Sequence, residues 1–151
     1  MLLNEHWKPL KLLAKDENDL DVLIECLFES ITPTSEMLFD SNKKYFAMML
    51  ERFTWECAEG QDFNLMQVKS LLVFYNIRKV SYVGFEREIN KKECVSSEYL
   101  SLFSIIYDNN NILLMFGKGV TIRLDTSGLR CTMEDIGKPK WPAVTPRHKT
   151  G

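Results

Sequence analysis

Histidine is nearly absent from this chain. Only His6 and His148 occur in 151 residues, one near each end. Ser–His and Cys–His chemistry needs an imidazole held against the nucleophile, and a group near a chain end is hard to hold in place. A histidine-based active site is therefore not expected. Cysteine is sparse as well. Cys26, Cys57, Cys94 and Cys131 lie 31, 37 and 37 residues apart, with no CxxC pair and no histidine at ligand spacing. That spacing implies neither a zinc site nor a disulfide framework. The expectation is free thiols, no bound metal and no cofactor. GxSxG, Walker A and GxGxxG patterns are missing too, so no catalytic residue is assigned.

Long apolar runs are also missing. The stretch with least charge, Tyr99 to Gly117, is split by Asp108-Asn109-Asn110-Asn111. Each half is far shorter than the roughly 20 residues of a spanning helix. Residues 1–15 carry Glu5, Lys8 and Lys11 and lack the apolar core of a secretory signal. We expect a soluble, cytoplasmic protein with no membrane contact. Net charge is low, at −2, so the whole chain exerts no pull on nucleic acid or anionic lipid.

What is present is an ordinary globular composition, 45% apolar and 26% charged. Pro9 to Ala14 alternates as a first strand does. Asp16 then offers a helix cap, and Leu20, Leu23, Ile24, Leu27 and Phe28 recur at helical spacing, which predicts an amphipathic helix over Glu17 to Glu29. Pro33 is expected to end it. Strand patterns follow at Glu36 to Phe39 and Tyr45 to Trp55, around an Asp40-to-Lys44 turn. Glu56 to Asn64 reads as a loop. Lys69 to Phe85 reads as two strands or one bent strand, interrupted at Asn76. Glu86 to Glu98 reads as a charged connection. Leu100 to Tyr107, Ile112 to Phe116 and Val120 to Leu124 make hairpins, the last turning at Gly117-Lys118-Gly119. Leu129, Cys131 and Met133 alternate once more.

Short turns between strands imply antiparallel pairing. The fold class is α+β, mostly β: a strongly bent antiparallel sheet or partly open barrel, with one amphipathic helix after the first strand. A pleckstrin-homology-like barrel is one candidate architecture. Residues 1–151 read as a single domain, with a basic, proline-containing tail over 138–151.

The order of these pieces resembles a bacterial family catalogued as domain of unknown function 2948. The residues that carry the resemblance are Pro9 to Ala14, Asp16, Arg52-Phe53-Thr54-Trp55-Glu56, Leu100 to Ile106, Leu114 to Leu124, Glu134-Asp135-Ile136-Gly137, Trp141 and Pro146-Arg147-His148. An arginine pair that the family carries before Leu71 is replaced here by Val68 and Lys69. The resemblance implies small, single-domain cytoplasmic proteins and supplies no reaction.

Candidate binding residues are Trp55, Glu56, Arg123, Asp135, Trp141, Arg147 and His148. Arg123 stands between apolar neighbours on a strand, either as an anion clamp or, better supported, as an ion-pair partner of Glu51, Asp125 or Asp135. Trp55 and Trp141 either anchor a partner or, the stronger reading, pack on the core. Glu134 and Asp135 must face opposite ways on a strand, so they do not form a carboxylate pair.

Charge is divided along the chain. Residues 1–66 hold 13 acidic and 6 basic residues, and residues 67–151 hold 8 acidic and 13 basic. The tail from Lys138 is basic with no acid. The leading expectation is a non-catalytic module that binds a protein partner through a sheet edge or the basic tail. A small enzyme with a cleft near Arg123, Asp135 and His148 is one alternative. Weak RNA binding is the other, although nucleic acid is an unlikely partner and oligomeric state is left open.

Overall fold

The computed structural model describes residues 7–57, 65–84 and 99–141. The expected loop over 58–64, the connection over 86–98, His6, Cys94, Arg147 and His148 lie outside the described residues, as does the Cys57 side chain.

The first strand, β1 (Lys11–Ala14), leads into α1 (Glu17–Leu27). The Asp16 carboxylate accepts the Asp19 N–H at 2.8 Å, and Asp19 in turn accepts the Lys15 N–H at 3.0 Å. The first bond satisfies a donor that the helix leaves unmet, and the second ties down the residue before the cap. Leu20, Leu23 and Leu27 are buried, as the spacing requires.

The helix does not run to Pro33. Glu29 adopts a left-handed φ of 64°, uncommon for a residue with a Cβ, and its N–H is held by the Leu102 carbonyl at 2.8 Å. The chain reverses there and enters β2 (Ser30–Pro33). This strand was not expected, because its polar residues point inward. Ser30 and Thr32 are fully buried, while Ile31 and Pro33 are only partly so. Pro33 can sit at its end because a strand end needs no further donor.

A short turn at 34–36 leads to β3 (Met37–Asp40) and then β4 (Tyr45–Phe53). Asp40 accepts the N–H groups of Asn42 and Lys43 to shape the hairpin. β5 (Gln67–Tyr75) and β6 (Ile77–Val83) are separated only by Asn76, at φ 62°. β7 (Tyr99–Asp108) and β8 (Asn111–Phe116) turn through Asn109 and Asn110, both at positive φ, the conformation of the tightest hairpin loops. β9 (Thr121–Thr126) and β10 (Cys131–Asp135) complete the described elements. The Gly117–Gly119 turn uses positive φ at Lys118 (64°) as well as at Gly119 (74°).

All pairings are antiparallel, in the order β1-β10-β5-β4-β2-β7-β8-β9-β6, with β3 added beside β4. β5 and β6 are consecutive in the chain yet stand six places apart in that order. In a flat sheet six spacings span about 29 Å, which Asn76 alone cannot cross. The sheet therefore curls on itself. It is not closed, since β1 and β6 pair with no described strand on their outer sides. The core fills the curl, where Phe46, Leu72, Phe74, Ile112 and Leu124 are wholly buried. α1 packs into the same cluster through Leu20, Leu23 and Leu27.

Candidate functional site

Inward residues of β4 fall at even positions, and Phe46, Met48 and Leu50 obey this rule. Arg52 is next in phase and is therefore carried into the interior, where it is 0% exposed. The same alternation turns Asp135 inward after Cys131 and Met133, and Ser70 inward before Leu72 and Phe74. The register sets Ser70 opposite both Leu50 and Asp135.

Arg52 Nε and Nη2 donate to the two Asp135 oxygens, each at 2.8 Å. Nη1 and Nη2 donate to the two Glu56 oxygens at 2.9 and 2.8 Å, and Nη1 also reaches the Phe53 carbonyl at 3.1 Å. The five N–H donors of a guanidinium are thus all used. Asp135 also accepts from Ser70 Oγ at 2.7 Å and from the Leu10 N–H at 2.8 Å. Its carboxylate is saturated in turn. This cluster ties β1, β4, β5, β10 and the 55–57 turn into one unit, and within it Arg52 and Asp135 have no donor or acceptor site left unused.

Burial alone would lift the Asp135 pKa. The bonds from Arg52, Leu10 and Ser70, with the guanidinium charge, outweigh it and hold the carboxyl below its ordinary value. The Arg52 guanidinium is likewise held above its usual value against desolvation by Asp135 and Glu56. Cys26 on α1 feels these charges, but burial dominates and raises its thiol pKa. Burial also raises that of Cys131. Both are free thiols, and neither is activated.

A depressed native pKa stabilises the fold at pH values above the unfolded value, and that contribution is lost as pH falls through the native value. The stability gap between wild type and Asp135→Asn should therefore be constant near neutral pH. It should narrow as the pH drops below about 4, the ordinary carboxylate range. Urea midpoints measured for both proteins from pH 7 to pH 2.5 test this, and a gap that stays constant would contradict it.

The other sequence candidates are placed differently. Trp55 donates its indole N–H to the Phe28 carbonyl at the end of α1, at 2.8 Å. Its ring meets Phe28 and Phe53 with centroids 6.2 and 5.9 Å away. It closes the helix end, which is the packing role expected of it. Arg123 lies on the exposed face of β9 and donates to Asn111 Oδ1 at 3.1 Å. The ion pair expected of it is not the one formed, because Asp125 is taken by Arg78 at 2.8 Å. Arg123 points outward from β9 and Asp135 inward from β10, on opposite faces of the sheet. They do not share a cleft, and His148 lies outside the described residues. Trp141 is 56% exposed and does not pack into the core. The segment before it is nonetheless tied down, since Lys140 and Gln67 exchange both backbone bonds at 2.8 Å. Glu134 and Asp135 face opposite ways, as expected.

An open feature lies on the outer face of the sheet. β2 pairs with β4 only at Ile31 and Glu51, whereas all four of its residues pair with β7. β4 meets β3 over Tyr45 to Met48 instead. The sheet forks between these partners, and Thr32 Oγ1 meets the orphaned Met49 carbonyl at 2.9 Å. A groove of ≈220 Å³ opens at the fork, lined by Ile31, Pro33, Glu36, Met49, Leu50, Glu51, Lys69 and Tyr99. Pockets for drug-sized molecules run from about 300 to 1,000 Å³, so this one suits a side chain. Sequence reading did not single it out, because a fork depends on which strand β2 chooses as its partner.

The profile of the family described as protein of unknown function, DUF2948, matches residues 10–148. The chain belongs to this family. No curated protein and no solved structure matches it. Within this DUF2948 chain, Arg52, Glu56 and Asp135 all fall in the segments on which the sequence resemblance rested. Among the described residues, no helix is long and apolar enough to cross a membrane.

Proposed function

We propose that this DUF2948 protein is a non-catalytic domain that holds an extended segment of a partner protein in the groove between β2 and β4. The observation that carries the reading is the groove itself. It is side-chain-sized, walled by Ile31, Pro33 and Met49, and flanked by Tyr99, which is 59% exposed. The surface continues from there. Glu51 in the groove pairs with Lys140, beside Trp141, and the Lys69 carbonyl accepts the Ile136 N–H at 2.9 Å. Exposed aromatic residues beside a pocket are the usual anchors of peptide and protein recognition. The interior charges support the same reading, because Arg52 and Asp135 spend their hydrogen bonds on each other and their neighbours. The outer edge of β6 is a weaker site for strand addition, because Arg78 and Lys79 blunt it.

Panning a phage-displayed library of random dodecapeptides against the protein tests the proposal. Selected peptides should bind wild type, and Met49→Arg, which fills the groove, should weaken them by about tenfold or more. Trp141→Ala should weaken them several-fold while changing stability by no more than about 0.5 kcal/mol, as befits an exposed site. Val83→Arg on the far edge should leave binding intact. The proposal fails if no peptide is selected above background, or if Met49→Arg binds the selected peptides as wild type does.

A further inference from the structure

We infer that the groove between β2 and β4 recognises a guanidinium-bearing side chain of the partner segment through Glu51, and that Lys140 holds this position in cis until the partner displaces it. The inference rests on the groove being the ligand site and specifies what enters it.

The groove contains two carboxylates, Glu36 and Glu51, against one lysine, Lys69. Lys140 reaching in from the rim balances them, so a second cation is favoured once Lys140 has left, while Ile31, Pro33 and Met49 offer apolar surface to an aliphatic stem, as long basic side chains require. Glu51 stands opposite Lys69 in the β4–β5 register, yet it is Lys140 that reaches its carboxylate. The contact is loose. The Lys140 ammonium lies 3.3 Å from Oε1 and 3.4 Å from Oε2, and Oε1 is buried with no aligned hydrogen-bond donor. A charge-assisted bond from a well-placed nitrogen is shorter, about 2.7–2.9 Å. A point-like ammonium between two oxygens satisfies neither of them fully, whereas the planar fork of a guanidinium matches both.

The lysine is also easy to displace. Its side chain is 60% exposed, and exposed ion pairs hold weakly. The backbone exchange between Lys140 and Gln67 anchors the segment independently of the side chain. Lys140 can therefore leave Glu51 without the segment detaching, and its ammonium moves into water, where it is fully solvated. Glu51 then becomes available to the incoming cation, and the departing lysine sets a threshold that neutral side chains do not overcome.

The ε-methyl group of Met49, in the groove wall, reports on occupancy. We would titrate N-acetyl-arginine N-methylamide into the full chain labelled with carbon-13 at methionine methyl groups. The near-isosteric, uncharged N-acetyl-citrulline N-methylamide serves as the control probe. The Met49 signal should shift saturably with the arginine probe, and the citrulline probe should bind at least about tenfold more weakly, as expected for a charge-assisted fork. Glu51→Gln, which keeps shape and removes charge, should abolish the difference between the probes. Lys140→Gln should tighten the arginine probe several-fold. An equal response to both probes, no response to either, or an arginine preference that survives Glu51→Gln overturns the assignment of Glu51. Unchanged affinity in Lys140→Gln overturns the role of Lys140. If selected dodecapeptides bind through Met49 without any arginine preference, the groove remains a peptide site and this inference alone fails.

Discussion

Arg52→Ala is expected to destabilise the protein by about 3–5 kcal/mol, the usual cost of stripping one partner from a buried ion pair. A typical domain is stable by only about 5–15 kcal/mol, so the variant should melt far earlier and express poorly. Most of the penalty falls on Asp135. Its side chain is fully enclosed, and without Arg52 only Ser70 and the Leu10 N–H would remain to satisfy it. Glu56 is less affected, because its side chain is 31% exposed and can turn to water. Arg52→Lys should not rescue the loss, since an ammonium has three donors where the site uses five in fixed directions. Arg52→Met combined with Asp135→Leu should recover much of it, because a matched apolar pair leaves no buried charge. Urea melts of these proteins at pH 7, with the single variants Arg52→Met and Asp135→Leu added, measure this, and the cycle of wild type, the two singles and the double isolates the coupling. A loss below about 1 kcal/mol in Arg52→Ala would mean that water reaches Asp135.

Arg52 shows where sequence reading reached its limit. Its position was legible: Phe46, Met48 and Leu50 set a period of two, and the next residue in phase is an arginine. What hid it is the rule that charged residues face water, a rule that fails when partners wait inside. Asp135 and Ser70 are in phase with buried neighbours for the same reason, but strands β4, β5 and β10 come together only through long-range pairing. No local pattern announces that pairing. The helix was legible because its capping residue and its apolar stripe are both local. The hairpins were legible because their turns are.

β2 was missed for a physical reason of its own. Its inward residues, Ser30 and Thr32, are polar, and its outward ones, Ile31 and Pro33, are apolar, so the usual contrast is inverted. Thr32 faces inward because its hydroxyl supplies a bond that the forked sheet cannot supply to Met49. The inversion and the groove are thus two consequences of one choice, the preference of β2 for β7 over β4. Trp141 was misjudged in the other direction. A large aromatic between two prolines suggested docking on the core, yet the backbone of Lys140 does the docking and the ring stays outside.

Leu23→Ala should cost about 2–5 kcal/mol, the range for deleting a buried leucine side chain. Leu23 is 1% exposed and belongs to the central cluster. The upper half of that range is expected because α1 has little freedom to sink into the space. One end is fixed by the Asp19 N–H on Asp16 and the Lys15 N–H on Asp19, and the other by Glu29 on Leu102 and by Trp55 on Phe28. A helix pinned at both ends leaves a cavity open, and an unfilled cavity adds to the lost transfer energy. Val22, 54% exposed on the opposite face, is the control, and Val22→Ala should stay within about 0.5 kcal/mol of wild type. Cys26 provides a second readout. It lies one turn beyond Leu23, and its thiol is shielded by burial. A loosened helix should therefore alkylate faster at Cys26 than wild type does, with Cys131 in β10 unchanged. Isotope-coded iodoacetamide labelling, read peptide by peptide, separates these thiols. Denaturant melts with an unchanged slope and a midpoint lowered by this amount would place the helix as drawn. A loss under about 0.5 kcal/mol with Cys26 still protected would mean that α1 slides to fill the gap.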